Sequence, residues 1–150
     1  AVVAAARAER ARSLSASRTL LTNLAINKDT FQTSTIWGGA SSRAVDGNAS
    51  TNWSHGSCTH TNYGAHNFWR VDLGAEKNVA KVVISNRQDY GPTRLKGAKV
   101  CVSNDIKGET GCAADTAGAL SKMESAINIG NDYARRFDAK FPGALAACHG

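Results

Sequence analysis

Between residues 68 and 103 the chain alternates apolar and polar positions with the two-residue period of a β-strand. In Phe68-Trp69-Arg70-Val71-Asp72-Leu73, the side chains of Trp69, Val71 and Leu73 fall on one face and those of Arg70 and Asp72 on the other. Gly74 is expected to end that strand. A second strand is expected over 79–87, where Ala80, Val82, Ile84 and Asn86 oppose Val79, Lys81, Val83, Ser85 and Arg87. A third has Ala98, Val100 and Val102 on one face and Lys99 and Ser103 on the other. Upstream, Thr33-Ser34-Thr35-Ile36-Trp37 runs up to Gly38-Gly39, and Ala44-Val45 leads into the turn Asp46-Gly47-Asn48. Residues 50–67, rich in Ser, Thr, Asn, Gly and His, form a long loop, a kind of segment that often carries function in a compact domain. Downstream, Leu120, Met123 and Ile127 suggest one helix face. Tyr133, Phe137 and Phe141 among polar neighbours favour a strand stopped by Pro142-Gly143, and 144–148 a last strand. Short strands separated by turns predict an all-β sandwich or jelly roll.

The length of 150 residues suits one domain. The net charge of +6 comes from scattered basic residues rather than one run or stripe, so nucleic acid is not the expected partner. No stretch of eighteen apolar residues is present, and no membrane span is expected. Residues 1–19, rich in Ala and Arg, lack the long apolar region of a signal peptide and are expected to be a flexible leader, with the domain over 20–150. Cys58, Cys101, Cys112 and Cys148 permit two disulfides in any of three connectivities, and none sits in a zinc-type spacing. Two sequons, at Asn48 and Asn52, are compatible with secretion.

The candidate chemistry lies at His60, Arg87, Asp89 and Arg94. Arg87 and Asp89 are two apart and share a strand face, and Gly91-Pro92 supplies a turn that can swing Arg94 back beside them. Two guanidiniums and an imidazole are rich in donors, and the carboxylate can accept from one arginine and fix its direction. Such a pocket suits a neutral polyol, whose hydroxyls accept from arginine and donate to an unprotonated imidazole nitrogen. Taken alone, an Arg-x-Asp pair is more often a surface ion pair of little consequence. Trp37, Trp53 and Tyr90 lie in loops beside these residues and can pack on a sugar ring or simply within their loops, whereas the alternation puts Trp69 in the core. Asp46, Asn48 and Ser57 are hard oxygen donors of the kind calcium takes, in competition with a plain Asp-Gly turn. Neither a Gly-x-Ser-x-Gly elbow nor a phosphate-binding glycine loop occurs, and Asp72 and Asp89 are already placed by strand and motif, so no enzyme is expected.

The spacing His60-x26-Arg87-x-Asp89-x4-Arg94 resembles the sugar motif of the F-type lectins, or fucolectins, without a gap. The resemblance extends through NLAINKDTFQTSTIWGGASSRAVDGNASTNW, SHGSCTHT, NFWRVDLG and RLKGAKVCVSN, about residues 23 to 112. It implies a discoidin-like jelly roll that binds L-fucose or fucosylated glycans, secreted, non-enzymatic, and serving in innate recognition or gamete adhesion. Oligomeric assembly is left open. By family position it implies a structural calcium held by Arg43 through its carbonyl, Asp46, Asn48, Ser57 and the chain's end at Cys148. His149 stands where the family has a Glu, so a weakened site is expected. It also implies the bridge Cys58–Cys148, leaving Cys101–Cys112 as the second pair. Several family members have two adjacent cysteines after the motif aspartate; this chain has Tyr90-Gly91 there. Two other readings remain: a discoidin-like adhesion domain for a membrane surface or protein, and a carbohydrate-binding module of a glycosidase.

Overall fold

The computed structural model describes residues 2–6, 21–64, 67–91, 94, 98–103, 118–119, 124–141 and 146–147. Among these residues the architecture is built of β-strands, in two sheets. Its spine is β5 (Asn67–Ser85), which pairs antiparallel along its length with β8 (Glu124–Phe141) from Asn67↔Phe141 to Ser85↔Glu124. On the other edge of β5, β3 (Asp29–Gln32) pairs with its first half, and β1 (Val2–Ala6) with its second. Then β2 (Thr22–Asn23) joins β1, β6 (Lys99–Ser103) joins β8, and β7 (Gly118–Ala119) joins β6. A separate two-stranded sheet pairs β4 (Thr59–His60) with β9 (Ala146–Ala147). No helix among the described residues is long and apolar enough to cross a membrane.

The two strands expected around Gly74 are one. At that point the ladder is interrupted between Asp72 and Lys77, Gly74 takes φ +83°, and its N–H donates to the Asp72 side chain at 2.8 Å. Glycine adopts this conformation without steric cost, so the interruption is a bulge rather than an end. A second irregularity, between Val79 and Lys81, resets the phase. Val79 and Val82 are therefore both buried, where strict alternation had put them on opposite faces. Of the positions grouped on these faces, Trp69, Val71, Leu73, Val82, Ile84, Ala98 and Val100 are buried, Ala80 is half-buried, and the side chain of Val102 lies outside the described ones. Each large apolar side chain removed from water contributes roughly 1.5–3 kcal/mol.

Three local expectations are corrected. Residues 33–36 are not a strand: the Ile36 N–H donates to His60 O, and β3 ends earlier, at Gln32. Ile127 lies in β8 opposite Val82 rather than on a helix, because pairing with β5 outweighs local periodicity; Leu120 and Met123 lie outside the described residues. In the segment read as a flexible leader, residues 2–6 form β1, registered from Val2↔Ile84 to Ala6↔Val79; residues 7–20 lie outside the described ones. The edge of β5 offers β1 backbone partners that composition cannot reveal.

Candidate functional site

His60 was expected in a loop. It sits instead in β4, buried to 4% relative exposure. Its backbone is held by the 36–39 turn: the His60 N–H donates to Gly39 O at 2.8 Å, and His60 O accepts from the Ile36 N–H at 3.1 Å. Gln32 braces both strands of this contact, its side-chain amide lying 2.9 Å from Gly39 O and 3.4 Å from His60 O. Gly39 is required there by close approach, since a Cβ would lie 2.7 Å from His60 Cβ and nearer still to His60 N.

The ring of His60 has both nitrogens engaged. Nδ1 lies 2.7 Å from Thr61 O, a pure acceptor, so Nδ1 carries the proton. Nε2 is then an acceptor, and an Arg94 terminal N–H donates to it at 2.8 Å. Burial chiefly pushes the His60 pKa below its ordinary value; the Thr61 bond opposes this, and the charges of Arg94 and Arg87 add to it. The nitrogen expected to meet a ligand hydroxyl already accepts from arginine.

Arg87 was expected as the last residue of a strand over 79–87; β5 ends at Ser85, so Arg87 and Asp89 lie past it and share no strand face. Its Nε and one terminal nitrogen donate to the two oxygens of Asp89, both at 2.7 Å. This fork, joined by the Trp53 N–H at 3.3 Å, lowers the Asp89 pKa to about 2. Arg94 returns through the turn at Gly91, donating its backbone N–H to Gly91 O at 3.1 Å.

Two of the three predicted aromatics join these four residues. Trp53 stands edge-on to His60 at 5.6 Å, and the Arg87 guanidinium lies over its ring at 5.0 Å. Tyr90 carries Arg87 at 5.6 Å and Arg94 at 5.2 Å, within cation–π range. His60, Trp53, Arg87, Tyr90 and Arg94 thus form a closed circuit of contacts, with Asp89 fixing Arg87 from outside. Trp37 is separate: it is 80% exposed, at the tip of the turn that holds His60, with a left-handed φ of +54°. The sequence reading missed Gly39, Gln32 and Thr61, which set the position and tautomer of His60. The Gly38-Gly39 pair is the signal in the sequence for this close approach.

The loop with the calcium candidates is closed on itself. Asp46 Oδ1 accepts from the Asn48 N–H at 2.8 Å, Asn48 Oδ1 from the Ser50 N–H at 3.1 Å, and Ser57 Oγ donates to Ser50 O. Among the described residues no three His, Cys, Asp or Glu side chains converge as metal ligands. The donors gathered are oxygens with one carboxylate, chemically fit for a hard cation but weakly charged. The Arg43 guanidinium lies 5.8 Å from the Trp53 ring centroid, and Cys148 lies outside the described residues. Cys58 and Cys101 are both disulfide-bonded; the pairings expected with Cys148 and Cys112 fall outside the described residues.

A cluster of arginine, histidine and aromatic side chains beside a β-fold is the arrangement of a binding domain, and comparison with known proteins places the chain in such a family. Residues 43–137 match the family described as F5/F8 type C, NedA-like, galactose-binding domain. Fucolectin-4 of Anguilla japonica is 46% identical over 66 residues, 44% of this chain but only 36% of that relative. The lectin domain of lectinolysin, solved with Lewis B antigen, superposes with a TM-score of 0.74 at 31% identity, covering 85% of this chain and 93% of that domain. A fucose binding module of Streptococcus pneumoniae gives 0.75 at 30% identity, covering 85% and 92%. The chain belongs to the F5/F8 type C family of NedA-like galactose-binding domains and, among them, to the F-type lectins.

Proposed function

We propose that this domain is a non-enzymatic lectin for L-fucose and fucosylated glycans, bound at His60, Arg87 and Arg94. The observation that carries the reading is the 2.8 Å contact between His60 Nε2 and Arg94 beside the Arg87–Asp89 fork. Each arginine has N–H groups left over from these bonds, aimed by partners that cannot turn away. The protein therefore presents donors, and the ligand must bring closely spaced acceptors, as a sugar with neighbouring hydroxyls does. Asp89 and His60 act chiefly by holding the two guanidiniums. The exposed ring of Tyr90, with Trp53, supplies apolar surface for a deoxy sugar, and the exposed ring of Trp37, outside the circuit, offers a surface to a neighbouring sugar of the glycan. The similarity to the fucose binding module and the Lewis B complex supports fucose among polyols.

The same reading assigns a weak structural calcium to the 46–57 loop with Arg43, Asp46, Asn48, Ser57 and Cys148. It assigns an extracellular setting as well, because disulfides at Cys58 and Cys101 persist under oxidising conditions. Recognition of microbial or gamete surfaces is the corresponding role. The test is titration calorimetry with L-fucose on wild type, Arg94→Ala and Arg94→Lys. Charge-assisted bonds contribute roughly 1.5–3 kcal/mol each, so Arg94→Ala is expected to weaken binding about 10- to 150-fold with little change in Tm. Arg94→Lys should also bind poorly, since a point charge cannot reproduce the fork. Unchanged affinity in Arg94→Ala would overturn the site.

A further inference from the structure

We infer that the pocket prefers an anionic fucosyl glycan, one carrying a sulfate ester on or next to the bound fucose, over its neutral counterpart. The inference rests on the fucose reading and adds to it a charge requirement. Three guanidiniums gather at this end: Arg87 and Arg43 on the ring of Trp53, at 5.0 and 5.8 Å, and Arg94 on Tyr90. Among the described residues one carboxylate answers them. Asp89 spends both oxygens on Arg87. Arg94 has for its polar partner the ring of His60, which is neutral because Nδ1 holds its proton toward Thr61 O and Nε2 accepts from Arg94. Neither Arg94 nor Arg43 forms an ion pair among the described residues. Asp46, the carboxylate nearest Arg43 in sequence, directs Oδ1 to the backbone of its own turn.

Counted over the described residues, the site thus carries two positive charges beyond what its carboxylate balances. A neutral sugar uses the arginine donors but leaves that charge as it was. A sulfate ester offers a guanidinium the paired oxygens it is shaped to meet, and such charge-assisted bonds are about twice as strong as neutral ones. Arg43, on the indole shared with Arg87, extends the charged surface past the first sugar, which is why the anion is placed on the fucose or its neighbour.

The test compares L-fucose with L-fucose monosulfates by calorimetry, at low ionic strength and at about 1 M salt, where the screening length falls to ~3 Å. Galactose 6-sulfate and inorganic sulfate serve as controls. At low salt at least one sulfated fucose is expected to bind about tenfold tighter than fucose. The gap should narrow at high salt, and Arg43→Gln should narrow it as well. Equal affinities for fucose and every sulfated form at low salt would overturn the inference and leave the fucose reading standing. Equal binding of galactose 6-sulfate and fucose sulfate would retire the fucose reading and keep the anion preference. Binding of inorganic sulfate as tight as that of fucose sulfate would reduce the site to a plain anion site and overturn the inference.

Discussion

Gly39→Ala tests the link between fold and site most directly. Its Cβ would stand 2.7 Å from His60 Cβ and 2.9 Å from Thr59 C, and closer still to His60 N. Two of these three atoms are backbone, so no rotamer change relieves the clash. The turn and β4 must part by about 1 Å to reach ordinary van der Waals separation. Overpacking of this kind costs roughly 1–3 kcal/mol. Loss of the Gly39–His60 backbone bond adds about 1 kcal/mol. For a domain of this size the expected fall in Tm is on the order of 5 to 10 °C. His60 moves with its strand, so its 2.8 Å contact to Arg94 lengthens and fucose affinity drops as well. Differential scanning calorimetry and fucose titration on the same protein read both effects. A Tm within about 1 °C of wild type would refute the close approach. A lowered Tm with unchanged affinity would refute the coupling of the turn to the pocket.

Other outcomes follow from single groups. His60 is held neutral below its usual 6.5, so the unfolded chain takes up a proton there at higher pH than the folded one. Its contribution to stability is full above pH 6.5 and declines as pH falls through that value toward the lower folded pKa. Protonation also turns Nε2 into a donor facing Arg94, so fucose affinity should fall on acidification; an identical acid limb in His60→Ala would assign the titration elsewhere. Asp89, at about 2, supports the fork down to strong acid, and Asp89→Asn should weaken sugar binding at neutral pH by freeing Arg87; titration showing wild-type affinity would contradict this. Non-reducing peptide mapping should return Cys58–Cys148, the pairing that the family resemblance implies for the disulfide at Cys58. That bridge closes a long loop worth about 4 to 5 kcal/mol in the chain-entropy picture, and a Cys58–Cys112 peptide would disprove it. Removing calcium with a chelator should lower Tm slightly and reversibly, since one carboxylate binds weakly; a Tm indifferent to chelator and to added calcium would remove the cation from the loop.

The parts of the fold legible in the sequence were those that depend on one strand's own periodicity. Trp69, Val71 and Leu73 declared their face because one side of β5 is buried. What depends on a partner strand did not show. Gly74 marks an end or a bulge according to whether β8 continues past it. Ile127 satisfies a helix period and a strand equally until Val82 is placed opposite. A two-residue strand such as β4 has no period to detect. In the candidate site, spacing singled out His60, Arg87, Asp89 and Arg94, which the structure brings together, but not how their hydrogen-bonding capacity is distributed. That Nε2 of His60 is already taken depends on Thr61 O, a backbone atom with no signature in sequence.

The closed circuit of His60, Trp53, Arg87, Tyr90 and Arg94 also bears on how such a pocket can diversify. Each member touches two others, so replacing one strips support from two, and substitutions within the circuit are expected to be non-additive. A lineage can change those positions only in concert. Trp37 and Tyr63 stand 80% and 73% exposed outside it and bear no such burden. Drift at the rim can therefore retune which neighbouring sugars are accepted while the inner five remain fixed, so that related domains would share a first sugar and differ in the second.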